Sequence, residues 1–319
     1  MKALVRHRYG GPGATRVEHV EQPELEDDRV VVHVRASSIN KADWHHLRGW
    51  PRLLRPLMRR GTLRPKSPLF GIDFAGVVEA VGRDVAGLAP GDEVFGARDG
   101  AFAEYVSAKS LVRKPSNVSF EEAAAVPIAG LTALQGLRDH GKLQPDERIL
   151  INGASGGVGT LAIQIAKALG ADVTAVVSTR NLEQARTLGA DDVLDYTRED
   201  FTRAGERYDL ILDVAGGHSW WAIRRALKPN GRLVVVGAHG SRGQLRHIAA
   251  VRLASLHSER QVSFFVAKLE VPDLQALADL LESGRLKPAI DRTYDLAEAP
   301  QALRTFGEGH VRGKLVLTI

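Results

Sequence analysis

A short apolar run, Ile149-Leu150-Ile151, leads without interruption into Asn152-Gly153-Ala154-Ser155-Gly156-Gly157-Val158-Gly159. Glycines at this spacing suit one task in particular: lacking a Cβ, they let backbone N–H groups close around a phosphate. Gly156 and Gly157 admit a pyrophosphate to the backbone, and Gly159 lets the following helix close on the strand. Aligned to the Gly-x-Gly-x-x-Gly fingerprint the positions are Ala154, Gly156 and Gly159, so a methyl group stands at the first, and Ser155 and Val158 complete the turn. The competing reading is a tight turn that serves packing only.

A dinucleotide site that takes NAD presents Asp or Glu to the ribose hydroxyls about 20 residues further on. Here that strand ends Val176-Val177-Ser178-Thr179-Arg180-Asn181, with no carboxylate. A carboxylate would repel a 2′-phosphate, whereas Ser178 and Asn181 donate hydrogen bonds and Arg180 adds a charge-assisted or stacking contact. The pocket therefore favours NADPH over NADH, with a solvated loop arginine as the alternative reading of Arg180.

Such groups need a scaffold. In the helix after the turn, Val158, Ala162, Ile165, Ala166 and Leu169 share one face, which leaves the amino end of the helix at the carboxyl edge of a sheet. Strands are expected at 148–151, 172–177, 192–195, 209–214 and 232–236, with helices at 158–169, 181–188 and 220–227 between them. That alternation implies an α/β fold, a doubly wound parallel sheet of the Rossmann kind. Before it, short strands at 2–7, 29–36, 76–81 and 102–106 make a β-rich region, and Ser119 with Glu122 forms a capping box that opens the first helix. After it come helices at 273–283 and 297–308 and a last strand, 314–319, expected to return to the first domain.

The chain has 319 residues, 44% hydrophobic and 25% charged, enough for two domains with ordinary cores. It has no cysteine, which excludes disulfides, thiolate metal sites and a cysteine nucleophile. No apolar run spans a membrane and the amino-terminal segment lacks a secretory signal, so a cytoplasmic location is expected. The net charge is a modest +5, but 50–68 carries Arg52, Arg55, Arg59, Arg60, Arg64 and Lys66 and no acid. That basic stretch reads as a solvated loop or as an anion-binding surface.

With these residues in hand the chain resembles the medium-chain dehydrogenase/reductase superfamily, and most closely its zinc-free, quinone-oxidoreductase-like branch. The resemblance rests on Ser38-Ile39-Asn40-Lys41-Ala42-Asp43, Gly71-Ile72-Asp73-Phe74-Ala75-Gly76, Pro90-Gly91-Asp92-Glu93-Val94, Gly100 to Tyr105, Pro127 to Thr132, the glycine turn, Leu188-Gly189-Ala190-Asp191 and Gly313-Lys314-Leu315-Val316-Leu317. It implies a GroES-like, partly open β-barrel domain at 1–120 and 286–319, a Rossmann domain at 121–285, an active site in the cleft between them, and a homodimer.

Zinc members of the superfamily have a cysteine where this chain has Asn40 and Gly-His-Glu where it has Gly71-Ile72-Asp73, so two ligand positions are lost. Without a Lewis acid, hydride transfer needs an electron-poor acceptor, a quinone or another α,β-unsaturated carbonyl. By resemblance, Asn40 lies beside nicotinamide and substrate, Thr132 near the carboxamide, Gly237 and Phe265 along the wall that holds the ring, and Tyr196 near the adenosine 2′-phosphate. His45 stands where some relatives have a tyrosine and is either a proton or hydrogen-bond donor or a wall residue without duty. Pro51 stands where enoyl-thioester reductases have a tyrosine. Asp43 and Asp73 are read as structural acids. The readings set against quinone or enone reduction are zinc-independent alcohol or aldehyde oxidoreduction, and an NADPH-sensing binding protein that uses 52–66. No nucleic-acid partner is expected.

Overall fold

The structure, a computed structural model, describes residues 1–50, 64–236, 251 and 261–319. Valine-rich alternation in the first third gives short, mostly antiparallel strands. β1 (Lys2–Arg6) and β2 (Thr15–His19) pair as a ribbon. The long strand β3 (Val30–Ile39) runs into α1 (Lys41–Arg48), and β4 (Asp73–Val81), β5 (Glu93–Ala97), β6 (Tyr105–Ala108) and β7 (Leu111–Arg113) follow. β3 organises this sheet. β4 pairs along one edge of it, while β6 covers only Val30 to His33 of the other, so the Ala36 to Ile39 part is left for another strand.

α2 (Phe120–Ala124) starts at the Ser119–Glu122 capping box, with the Ser119 hydroxyl accepting from the Glu122 N–H and the Glu122 carboxylate from the Ser119 N–H. α3 (Pro127–Gln135) leads to the alternating region: β8 (Arg148–Asn152), α4 (Gly157–Ala168), β9 (Asp172–Val177), α5 (Leu182–Thr187), β10 (Asp192–Asp195), β11 (Tyr208–Asp213), α6 (Trp220–Ala226), β12 (Leu227–Val235) and β13 (Gln261–Phe264). The sheet runs in the order β10-β9-β8-β11-β12-β13, parallel throughout. Its order reverses between β8 and β11, which opens a ligand crevice outside their carboxyl ends. Ile149, Leu150 and Ile151 are fully buried, as expected of a strand covered on both faces.

The chain closes with α7 (Val271–Glu282), β14 (Ile290–Asp295), α8 (Ala299–Glu308) and β15 (Lys314–Thr318). β15 returns to the first sheet: it fills the open half of β3 antiparallel, Leu315 opposite Ile39 and Thr318 opposite Ala36, and takes β14 parallel on its other edge.

Two units result, Met1–Ala129 with Leu269–Gly284 and Pro288–Ile319, and Gly130–Lys268 with Arg285–Lys287. They differ from the sequence-based boundaries mainly at α7, which joins the first unit instead of the second. α7 packs on β7, and the Asn117 amide donates to the Leu281 and Glu282 carbonyls at its carboxyl end (3.4 and 3.1 Å). The strand expected at 102–106 sits later, at Tyr105–Ala108; Phe102 precedes it, fully buried, with its N–H on the Phe70 carbonyl.

Candidate functional site

Within the second unit, the turn between β8 and α4 has its left-handed residue at Gly153 (φ +87°), one position before the fingerprint begins. Ala154 avoids that region and is buried, so the methyl group at the first fingerprint position carries no strain. At Gly159 an added Cβ would lie 2.3 Å from the Gly153 carbonyl oxygen and 2.5 Å from the Ala154 Cα, so only glycine lets helix and strand approach this closely. A Cβ at Gly156 would find its nearest atom at 3.8 Å. The space above Gly156 is thus open, and α4 begins there with no side-chain cap and no acid in its first turn. Unspent N–H groups and the positive end of a 12-residue helix dipole face that space, together with Gly157 and Val158, a fitting seat for a pyrophosphate.

The turn is braced by Asn152. Its amide donates to Asp213 Oδ1 at the end of β11 (2.8 Å) and to the Gly216 carbonyl (3.3 Å), while the Gly216 N–H returns to Asp213 Oδ1 (2.8 Å). The two strand ends that flank the crevice are therefore tied by a buried side chain.

At the end of β9 the chain turns through Ser178, which accepts from the buried Asn181 amide (3.1 Å), and Thr179 and Arg180 are exposed. The Tyr196 N–H bonds the Val177 carbonyl (3.0 Å) and its side chain is 61% exposed, so Ser178, Arg180 and Tyr196 gather at one corner. Sequence reasoning missed a further member, Asp195 on the adjacent β10. Its carboxylate is turned inward, accepting from the Thr179 hydroxyl (2.5 Å) and the Thr197 hydroxyl (2.7 Å), and these bonds hold its pKa below the usual carboxylate range.

Thr132 lies half-buried on α3, one turn before Gln135, whose side chain makes two bonds to the Lys268 backbone (2.8 and 2.9 Å). Phe265, just after β13, stacks on His140 at 4.2 Å. Gly237 lies outside the described residues, as do Arg52, Arg55, Arg59, Arg60 and Pro51.

Within the first unit, strand register assembles a buried polar cluster. Asn40 directly follows β3, Lys314 opens β15 one step beyond the Leu315–Ile39 pair, and Asp73 opens β4 opposite Ser38. The Lys314 ammonium donates to Asn40 Oδ1 (2.5 Å) and lies 3.4 Å from Asp73 Oδ2. Asp73, with no exposed surface, also accepts from the Asn40 amide (2.7 Å), the Ser38 hydroxyl (3.0 Å) and, on Oδ1, the Ile128 N–H (3.0 Å). Asp43, in the first turn of α1, accepts the Asn40 N–H (2.8 Å). Burial, with Asp73 adding to it, pushes the Asp43 carboxyl up to about 8, and burial pulls the Lys314 ammonium down against the two carboxylates. The two acids are thus hydrogen-bonded scaffold, but around a lysine that the sequence shows only as part of the Gly313 to Leu317 motif. A lysine opening the apolar strand Lys314-Leu315-Val316-Leu317 was the available signal, since a buried ammonium demands a buried acid.

The adjacent histidines of α1 diverge. His45 is half-buried with its ring 4.7 Å from that of Trp50, and His46 is buried with Nδ1 3.8 Å from Asp99 Oδ1.

Residues 26–116 match the alcohol dehydrogenase GroES-like domain family and residues 188–317 a family described as zinc-binding dehydrogenase. A chloroplastic quinone oxidoreductase of Triphysaria versicolor is 34% identical over 99% of this chain and 98% of its own. A 2-methylene-furan-3-one reductase of Solanum lycopersicum is 33% identical over 99% of this chain and 79% of its own. Among solved structures, a Coxiella burnetii quinone oxidoreductase superposes with TM-score 0.87 at 31% identity (100% and 99% of the two chains). The Escherichia coli quinone oxidoreductase complexed with NADPH superposes with TM-score 0.83 at 25% identity over the whole of both chains.

Proposed function

The chain belongs to the quinone-oxidoreductase-like branch of the medium-chain dehydrogenase/reductase superfamily, an oxidoreductase family that pairs a GroES-like domain with a Rossmann domain, and on that footing we propose that it is an NADPH-dependent, metal-free reductase of quinones or other α,β-unsaturated carbonyls. The observation that carries the reading is the open space over Gly156 at the uncapped head of α4, joined to a β9 end that bears Ser178 and Arg180 instead of an acid. Bound NADPH supplies the hydride.

The chain's own residues do the rest. Gly156 to Gly159 hold the pyrophosphate by backbone N–H groups, and Ser178, Arg180, Asn181 and Tyr196 receive the 2′-phosphate end. Asp195 stays ionised, but threonine hydroxyls take its oxygens and Arg198 Nε lies 3.5 Å from Oδ2, which offsets its charge at that corner. Thr132, Gly237 and Phe265 hold the nicotinamide. Asn40 hydrogen-bonds the acceptor oxygen where negative charge develops, and His45 or water delivers the proton.

Zinc does not fit the corresponding positions. Isoleucine at 72 offers no donor atom, and the cation already beside Asp73 is the Lys314 ammonium, which would repel a second one. Alcohol oxidation by Lewis-acid activation therefore has no support in this donor set.

The deciding experiment is NADPH oxidation by the purified protein against a panel of quinones, 2-alkenals and enones, with chelator present. Turnover of at least one class is expected; no turnover of any, or activity restored only by zinc, would sink the reading. Size-exclusion chromatography tests the homodimer, and fractionation of the native host the cytoplasmic location.

A further inference from the structure

The polar cluster of the first unit is larger than the end of a barrel strand requires. Four charged or amide side chains, Asn40, Asp43, Asp73 and Lys314, are buried together, each at most 7% exposed. Removing one partner from such a group is strongly destabilising, while an apolar replacement of the whole is often neutral, so stability alone gives no reason for its presence.

What the cluster does is fix one amide. Asn40 Oδ1 faces the Lys314 ammonium and Asn40 Nδ2 faces the Asp73 carboxylate. Flipped, the amide would set N–H against ammonium and oxygen against carboxylate, so the charges on either side dictate its orientation. Nδ2 has two hydrogens. The first is spent on Asp73 at 2.7 Å; the second meets the Ser38 carbonyl at 3.4 Å, too long for a strong bond. That second hydrogen is the one a ligand oxygen can claim. An ammonium on Oδ1 also withdraws charge from the amide, which strengthens its N–H groups as donors.

We propose that Lys314 is a positioning residue for hydride transfer: it clamps Asn40 Oδ1 so that the loosely held Nδ2 hydrogen is presented, polarised, to the acceptor oxygen. The inference rests on the reading of Asn40 as the acceptor's hydrogen-bond donor. Asp73 is the counter-ion that keeps the ammonium buried, and the Asp43 carboxyl, protonated near neutrality, adds a fixed anchor on the Asn40 N–H without a second negative charge.

The test compares Lys314→Met, which nearly conserves volume, with Asn40→Ala and the double variant. Each single change is expected to lower kcat about tenfold or more with the KM for NADPH unchanged, and the double variant to be no slower than the slower single one. Wild-type kcat in Lys314→Met, or losses that multiply in the double variant, would overturn the proposal. Should Lys314→Met fail to fold because Asp73 is left uncompensated, Asp73→Asn with Lys314→Met removes both charges; a folded protein with reduced kcat supports the proposal and one with wild-type kcat refutes it.

A second readout does not depend on turnover. In 15N-labelled protein the Asn40 side-chain amide should give two well-separated, slowly exchanging proton signals that merge towards ordinary exposed-amide values in the lysine variant. Unchanged signals would refute the clamp. If the wild type shows the separated signals but reduces none of the panel, the reading of function has failed while the clamp stands.

Discussion

The Asn152 amide reaches across the mouth of the parallel sheet to Asp213 Oδ1, 2.8 Å away, and so joins the ends of the two strands between which the sheet order reverses. Asn152→Ala leaves a buried carboxylate short of a donor, a loss of about 1–3 kcal/mol. Thermal melting should shift down accordingly, and NADPH affinity, followed by protein fluorescence, should fall with it because the β11 end is no longer fixed. An unchanged melt would show that the bond is replaced.

Two glycines of the same turn should respond in opposite ways. Gly159→Ala forces a methyl group to within 2.3–2.5 Å of backbone and should destabilise the protein by about 1–3 kcal/mol or more, seen as loss of soluble protein or a lowered melt. Gly156→Ala meets nothing closer than 3.8 Å, so the melt should hold while NADPH binding weakens as the methyl group occupies the pyrophosphate seat.

Arg180→Ala tests the 2′-phosphate end. The loss of one charge-assisted contact should weaken NADPH roughly tenfold and leave NADH nearly untouched, measured as the two dissociation constants. Equal weakening of both would remove Arg180 from that role.

Asp43→Asn tests the buried acid. With its native pKa raised to about 8 against an ordinary value near 3.8, the folded protein binds the proton more tightly than the unfolded chain between those limits. Stability from this group is present below about pH 4 and is lost as pH rises towards 8. The asparagine variant keeps an acceptor for the Asn40 N–H but cannot ionise, so its melting temperature should match the wild type at low pH and exceed it near pH 8. A wild-type profile in the variant would place the titration elsewhere.

The parallel sheet was the most legible part of the chain. Strands 172–177 and 192–195 stand where pattern put them, because buried parallel strands are short apolar runs set off by glycine and by helix caps. α1 is weakly marked in the sequence. Its residues Lys41-Ala42-Asp43-Trp44-His45-His46-Leu47-Arg48 have no apolar stripe, and its signals are the Asn40 cap and the left-handed Gly49 (φ +59°). β7 has only three residues, and β5, which comes straight out of the Pro90-Gly91-Asp92-Glu93 turn, is buried from Val94 to Ala97 with no polar residue to mark an alternation. The glycine turn between β8 and α4 is legible because its parts are consecutive. The Asn40–Asp73–Lys314 cluster is not, since its members lie 33, 241 and 274 positions apart and meet only through the register of β15, β3 and β4.

That β15 completes the first sheet has a temporal side. On the ribosome, chain emerges at about 5–20 residues per second, and β8 to β13 are all made before Lys314. The nucleotide-binding sheet can assemble while β3 still has one half-edge bare and Asp73 still lacks its counter-ion. The first unit to be started is thus the last to be finished, and a nascent chain stalled before Lys314 would carry an exposed strand edge and an uncompensated acid, marks by which quality control could tell it from the finished enzyme.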